Sequence, residues 1–171
     1  MKLVTQRNLI KQTLPLMCTQ VAEYVADVGR VFSEAFRVLK PNGRAIFVAT
    51  DWHTILWYSD NPRRMAAVLT SWEGHSPHPR LPVSMADKFI KAGFRLSGAA
   101  VFPILNLQYD EDSYSWGLAQ LVRNFVARKN DVSADDLKDW HSELERSSEA
   151  GGYFFSSNRY IFKASKPPST A

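Results

Sequence analysis

Apolar runs and amphipathic stretches take turns along the chain, and their spacing assigns most of them an element. Leu14-Pro15-Leu16-Met17-Cys18-Thr19 is a short continuous apolar run. It predicts a buried strand with Pro15 at its start, where a missing N–H is tolerated. Asp27 then stands as an N-cap before Val28, Val31, Phe32, Ala35, Val38 and Leu39, whose helical spacing makes one apolar face. Lys40-Pro41-Asn42-Gly43 predicts the stop and a turn, with Gly43 taking a positive φ. Ala45 to Thr50 is again continuously apolar, as strands covered on both faces are in parallel sheets. Strand, helix and strand at this length form a βαβ unit. Asp51 then falls just past the carboxyl end of the second strand, at the rim where open α/β sheets bind ligands.

The remainder continues that layout. Asn61-Pro62 starts a helix whose buried face is Met65, Val68, Leu69 and Trp72. Gly74 to Pro82 reads as a loop, and Ser84 as the cap of a short helix ended by Gly93. Phe94 to Tyr109 contains a long extended stretch, in which Pro103 predicts a bulge or a partly unpaired strand end. A helix follows Asp110-Glu111-Asp112, and Ser133-Ala134-Asp135-Asp136 resembles a capping box for another that buries Leu137, Trp140 and Leu144. Tyr153–Phe155 and Tyr160–Phe162 form a final strand, predicting a closing antiparallel pair with the intervening helices as a cap. Lys166–Ala171 reads as a frayed tail, and Lys2, Arg7 and Lys11 mark a short basic lead-in.

Composition narrows the function classes. With 171 residues, 45% apolar and 22% charged, the chain is one ordinary globular domain, which excludes a disordered or fibrous protein. Twenty-one Lys+Arg against 17 Asp+Glu give a net +4. No basic run exceeds Arg63-Arg64, so no nucleic-acid partner is expected. Cys18 is the single cysteine, which forbids an intrachain disulfide and fits a reducing, cytoplasmic location. No stretch approaches the roughly 20 apolar residues of a membrane span. His75 and His78 have a metal-like spacing but no third ligand nearby, and Asp110-Glu111-Asp112 lacks the glycine and distal glutamate of a calcium loop; no metal is expected.

One stretch resembles a family. Val21-Ala22-Glu23-Tyr24-Val25-Ala26-Asp27, followed by Phe36-Arg37-Val38-Leu39-Lys40-Pro41-Asn42-Gly43-Arg44, is similar to class I S-adenosylmethionine-dependent methyltransferases. There a hydrophobic–Glu–His/Tyr–Val–x–Asp pattern, a helix and Arg-Val-Leu-Lys-Pro-Gly-Gly-Arg span the fourth strand, its helix and the fifth strand. Asn42 stands here for the usual first glycine. Asp51-Trp52-His53-Thr54, His78-Pro79-Arg80-Leu81-Pro82 and Tyr153 to Tyr160 look similar to a small-molecule branch of that family. The glycine-rich turn that approaches the cofactor is not matched, since none of the eight glycines shows Gly-x-Gly-x-Gly spacing.

The resemblance implies an α/β fold, a partial Rossmann-like methyltransferase sheet equivalent to strands 4 to 7, with a helical cap. Residues 1–165 would be the C-terminal half of a methyltransferase domain, and residues 166–171 a disordered tail. It implies methyl transfer from S-adenosylmethionine to a small, apolar or aromatic acceptor. The alternative is a non-catalytic methyltransferase-like binding or regulatory protein. Thr19, Gln20 and Tyr24, after the first strand, would bind the cofactor. Asp51 and His53 would be catalytic, His53 as a base, histidine being the side-chain type suited to proton transfer. Trp52 and Trp57 would wall the acceptor pocket, and Arg159 would contact the acceptor. A sheet beginning at this strand leaves an exposed edge, so a second copy or a partner chain is expected to cover it.

Overall fold

A computed structural model describes residues 15–168. The basic lead-in with Lys2, Arg7 and Lys11, Leu14 of the first expected strand, and Ser169–Ala171 of the tail lie outside those residues.

The first strand, β1 (Leu16–Thr19), runs parallel to β2 (Arg44–Trp57), with Leu16 opposite Ala45 and Thr19 opposite Val48. Between them α1 (Val28–Val38) starts where Asp27 Oδ1 accepts from the Arg30 N–H at 3.0 Å. It stops at a turn closed by Gly43 N–H donating to Lys40 O at 2.8 Å. The left-handed residue in that turn is Asn42, with φ 63°, and not Gly43. Gly43 is needed for space: a Cβ there would lie 2.7 Å from the Lys40 carbonyl oxygen.

After β2 come α2 (Pro62–Glu73), α3 (Leu81–Lys91), β3 (Arg95–Asn106), α4 (Tyr114–Lys129), α5 (Ala134–Glu149) and β4 (Phe155–Ser165). The sheet order is β1-β2-β4-β3, with β4 antiparallel to both neighbours. The parallel pair, the closing antiparallel pair and the intervening helices are those the sequence predicts. Four details differ. β2 continues to Trp57, so Asp51, Trp52 and His53 lie within it rather than beyond it. Its register against β4 breaks between Asp51 and Leu56, where the Thr54 hydroxyl donates to Asp51 O at 2.6 Å and accepts from Asn158 N–H at 2.9 Å. α3 begins at Leu81, with Pro82 in its first turn where a missing N–H costs nothing; Ser84 lies inside and donates to Leu81 O. The irregularity in β3 falls between Leu96 and Gly98, whereas Pro103 stays in register with Asn158, as an edge strand allows.

The long β2 serves two cores. Its first half, with Ala45, Phe47 and Ala49, packs on α1 and α3. Phe32 stacks on Phe47 at 4.7 Å and meets Phe89 edge-on at 4.8 Å. Its second half, with Ile55 and Trp57, packs with Phe155 against α2, α4 and α5. Lys166, the first residue of the expected tail, is tied to the body. Its Nζ donates to Phe36 O and Leu39 O, each at 2.8 Å, at the carboxyl end of α1.

Candidate functional site

The carboxyl end of β1 lies beside Val48, midway along the parallel β2, so the rim there is formed by the end of β1 and by Thr50 and Asp51 of the continuing strand. Gln20 follows β1 in the left-handed region at φ 54°, which a side-chain-bearing residue adopts at a cost of about 1 kcal/mol. Two contacts hold it there. Its N–H donates to Val48 O at 2.9 Å, and its amide is 3.0 Å from the Thr50 hydroxyl on β2. Thr19, opposite Val48, is exposed on the same rim.

Successive residues of a strand point to opposite faces, so Thr50 and Asp51 separate the rim into two sides. On the Thr50 side, Arg159 of β4 stands opposite Thr50 in register. Its guanidinium lies over the Tyr114 ring at 4.8 Å. Glu23 and Tyr24 reach this side from the single helical turn Ala22–Tyr24 after β1. Glu23 is fully buried, and neither carboxylate oxygen has a hydrogen-bond partner. Burial pushes its carboxyl above the ordinary value, while its own N–H, the Thr50 N–H and the Arg159 charge pull the other way. Tyr24, half-exposed, is pushed up to about 12, first by burial and then by Glu23 and Tyr114. Ser157 Oγ and Arg159 Nε are also buried without partners.

On the Asp51 side the arrangement is more open. Asp51 is buried, accepts from the His53 N–H at 3.2 Å, and lies 3.8 Å from Arg80 Nε. His53 Nε2 is 3.4 Å from Glu73 Oε1. His53, Glu73, His78, Arg80 and Lys88 line an open cavity of about 460 Å³.

The structure therefore links Gln20 to Arg159 through Thr50, leaves Thr19 at the end of β1 and Tyr24 in the turn after it, and sets Asp51 and His53 on the other side. Trp57 is a core residue: it is buried, meets Trp140 edge-on at 5.7 Å, and donates its indole N–H to the Tyr153 hydroxyl at 2.7 Å. Trp52 is buried edge-on against Trp72 and His75, with its indole nitrogen unpaired. His75 and His78 each bond a backbone carbonyl, of Trp72 and Ala26. Among the described residues no group of three or more metal-ligating side chains occurs. No described helix is long and apolar enough to cross a membrane. Ser157 is a polar residue beside the rim to which the sequence assigned no role, whereas Glu23 stood in the stretch after the first strand that carries the family resemblance.

Comparison with known proteins agrees with this geometry. A family model described as a methyltransferase domain matches residues 16–47, from β1 into β2. A search of curated proteins finds no match. Among solved structures, a protein of Bacillus halodurans assigned as a methyltransferase is similar over 88% of this chain and 68% of its own, with 16% identity and a TM-score of 0.51. The YcgJ protein of Bacillus subtilis is similar over 90% of this chain and 63% of its own, at 16% identity and a TM-score of 0.46. Phosphoethanolamine N-methyltransferase 2 of Haemonchus contortus, solved with S-adenosylhomocysteine, is similar over 88% of this chain and 32% of its own, at 15% identity and a TM-score of 0.40. The family match is confined to the stretch from β1 into β2, and the likeness to the Bacillus halodurans protein shows the fold.

Proposed function

We propose that the chain carries the acceptor side of an S-adenosylmethionine-dependent methyl-transfer site, acting on a small molecule. The observation that carries this reading is the parallel pair β1–β2 with Gln20 held at positive φ against Thr50 on its carboxyl rim. A methyl-transfer site needs fixed polar groups at such a rim, and water excluded around the reacting atoms. The residues fit a polar cofactor end: Thr19, Gln20 and Tyr24 would hold it. When bound, S-adenosylmethionine supplies an electrophilic methyl group on a sulfonium. Arg159 and Tyr114 wall the acceptor side. Asp51, beside Arg80, and His53, in the open cavity, lie on the opposite face from this acceptor side, which counts against a direct catalytic role for them.

Calorimetry with S-adenosylmethionine on the whole chain tests this. Binding that Gln20→Ala weakens supports the reading; no heat and no thermal shift at about millimolar ligand, a regime that detects free energies near 4 kcal/mol, overturns it. A second reading, a non-catalytic methyltransferase-like binding protein, is favoured by one observation. None of the eight glycines has the spacing of a cofactor-cradling turn. Under that reading the fold persists and the calorimetric signal is absent.

The outer edge of β1 carries no paired strand among the described residues, and Met17 on it is 65% exposed. That edge supports association with a second copy or a partner chain. Light scattering of the purified chain showing only a monomer would count against self-association.

A further inference from the structure

The two faces of the sheet are covered unequally. Ala45, Phe47 and Ala49 point to the face that α1 and α3 cover. Arg44, Ile46 and Val48 alternate with them and point to the other face. Register carries that face across the sheet: Met17 stands beside Ile46, and Ile161 beside Val48. Met17 is 65% exposed, while Ile46, Val48 and Ile161 are half-buried. None of the four belongs to either core of the described residues or packs against one. Phe155 lies on this same face, an even number of residues before Ile161 on β4, and packs in the core of the helical cap. The cap thus stands over one end of the face, and the uncovered apolar patch lies in a step beside it, about one helix diameter of 10–12 Å deep.

The patch has a charged margin of one sign. Arg44 and Arg95 flank Ser165 in register, and Lys163 is two residues before Ser165 on the same face. All three side chains are exposed, and among the described residues no acid lies within ion-pair distance of any of them. β1, β3 and β4 contain no aspartate or glutamate, and Asp51, the acid of β2, points to the other face. A cavity of about 310 Å³ opens among Pro15, Arg44, Ile46 and Lys163, where the apolar patch meets the basic margin.

We infer that this face docks an acidic amphipathic helix of another polypeptide, with an apolar stripe over Ile46, Val48 and Ile161 and acidic residues over Arg44, Arg95 and Lys163. Helices already cover the opposite face of these strands, and one helix is wide enough to span two or three strands at about 4.8 Å spacing. Charge selects the chain that supplies it. A second copy of the same face would set its arginines and lysine against these. The chain's own residues 1–14 carry Lys2, Arg7 and Lys11 and no acid, so they bring the same sign. The step beside the cap keeps a flat bilayer from the patch. The inference stands whether or not the rim binds S-adenosylmethionine.

The probe is a synthetic helical peptide of about 18 residues, with leucines along one stripe and glutamates beside it, and a counterpart with lysine for every glutamate. The glutamate peptide should bind the whole chain at least about tenfold tighter than the lysine peptide, and the gap should narrow as salt is raised. In amide NMR the shifts should gather at Met17, Ile46, Val48 and Ile161. Arg44→Glu combined with Lys163→Glu should reverse the preference without lowering the melting temperature, since both side chains are exposed. Equal affinity for the two peptides, no binding of either, shifts confined to β3, or a preference that survives the charge reversal would overturn the inference. So would a dimer in light scattering that protects the same amides, which gives the face to a second copy. Sedimentation with phosphatidylserine vesicles in the absence of peptide binding would overturn it in favour of a membrane.

Discussion

Two buried glutamates show how partners, rather than burial, decide what a carboxylate does. Glu143 of α5 accepts from the Ser59 hydroxyl at 2.7 Å, the Asp60 N–H at 2.6 Å and Arg64 Nη2 at 2.8 Å. Burial pushes its carboxyl up, but Arg64, Ser59 and Asp60 outweigh that and hold it below the ordinary value. It is a staple that fastens α5 to the segment joining β2 and α2. Glu23 is buried more completely and has no side-chain donor of this kind, so burial outweighs the weaker pull of its own N–H, the Thr50 N–H and the Arg159 charge, and its carboxyl is raised. The first glutamate fastens the cap, and the second is a buried carboxyl that no side-chain donor satisfies.

The contrast breaks most visibly at Glu143. Glu143→Ala leaves the Arg64 guanidinium, itself 13% exposed, without its closest partner, and should cost about 3–5 kcal/mol, read by urea unfolding. Glu23→Gln should cost nothing and should raise the melting temperature at neutral pH, because it removes a carboxyl that must otherwise be buried charged.

The pH dependence sharpens the same comparison. The depressed Glu143 carboxyl contributes stability that is present above its unfolded value of 4.5 and is lost as pH falls through its folded value. The raised Glu23 carboxyl contributes stability that is present below 4.5 and is lost as pH rises through its folded value. Thermal melts against pH should therefore lose their acid-side slope in Glu143→Gln and their opposing slope in Glu23→Gln. His75 adds an acid-side effect of its own. It stacks on Trp72 at 3.7 Å, and burial lowers its pKa against the raising pull of the Trp72 carbonyl. Its neutral form stabilises above 6.5, and that contribution fades as pH falls; His75→Phe should flatten this part of the curve. The smallest expected effect is Thr50→Val, which removes the hydroxyl that clamps Gln20 and should cost about 1 kcal/mol.

The sequence pattern made the parallel pair legible because Leu16–Thr19 and Ala45–Thr50 are continuous apolar runs around a well-capped helix. The extension of β2 to Trp57 was not legible. After Asp51 the apolar order breaks, and pairing there depends on the Thr54 hydroxyl joining Asp51 O to the Asn158 N–H. The start of α3 was hidden by Pro82, which reads as a loop residue and is equally at home in a first helical turn. That Thr19, Gln20 and Tyr24 lie near the end of β1 was legible because they follow a strand. The alternation that sets Asp51 and His53 apart from them follows from β2 continuing, so it escaped along with that extension. Glu23 and Glu143 cannot be told apart by type or periodicity; only the donors that the fold brings to each distinguish them.

The most direct test of a methyl-donor site on the β1–β2 rim is backbone-amide NMR of the whole chain titrated with S-adenosylhomocysteine. The account expects shifts gathered at Thr19, Gln20, Tyr24 and Thr50. Shifts confined to His53, Arg80 and Lys88, or none at saturating ligand, would contradict it.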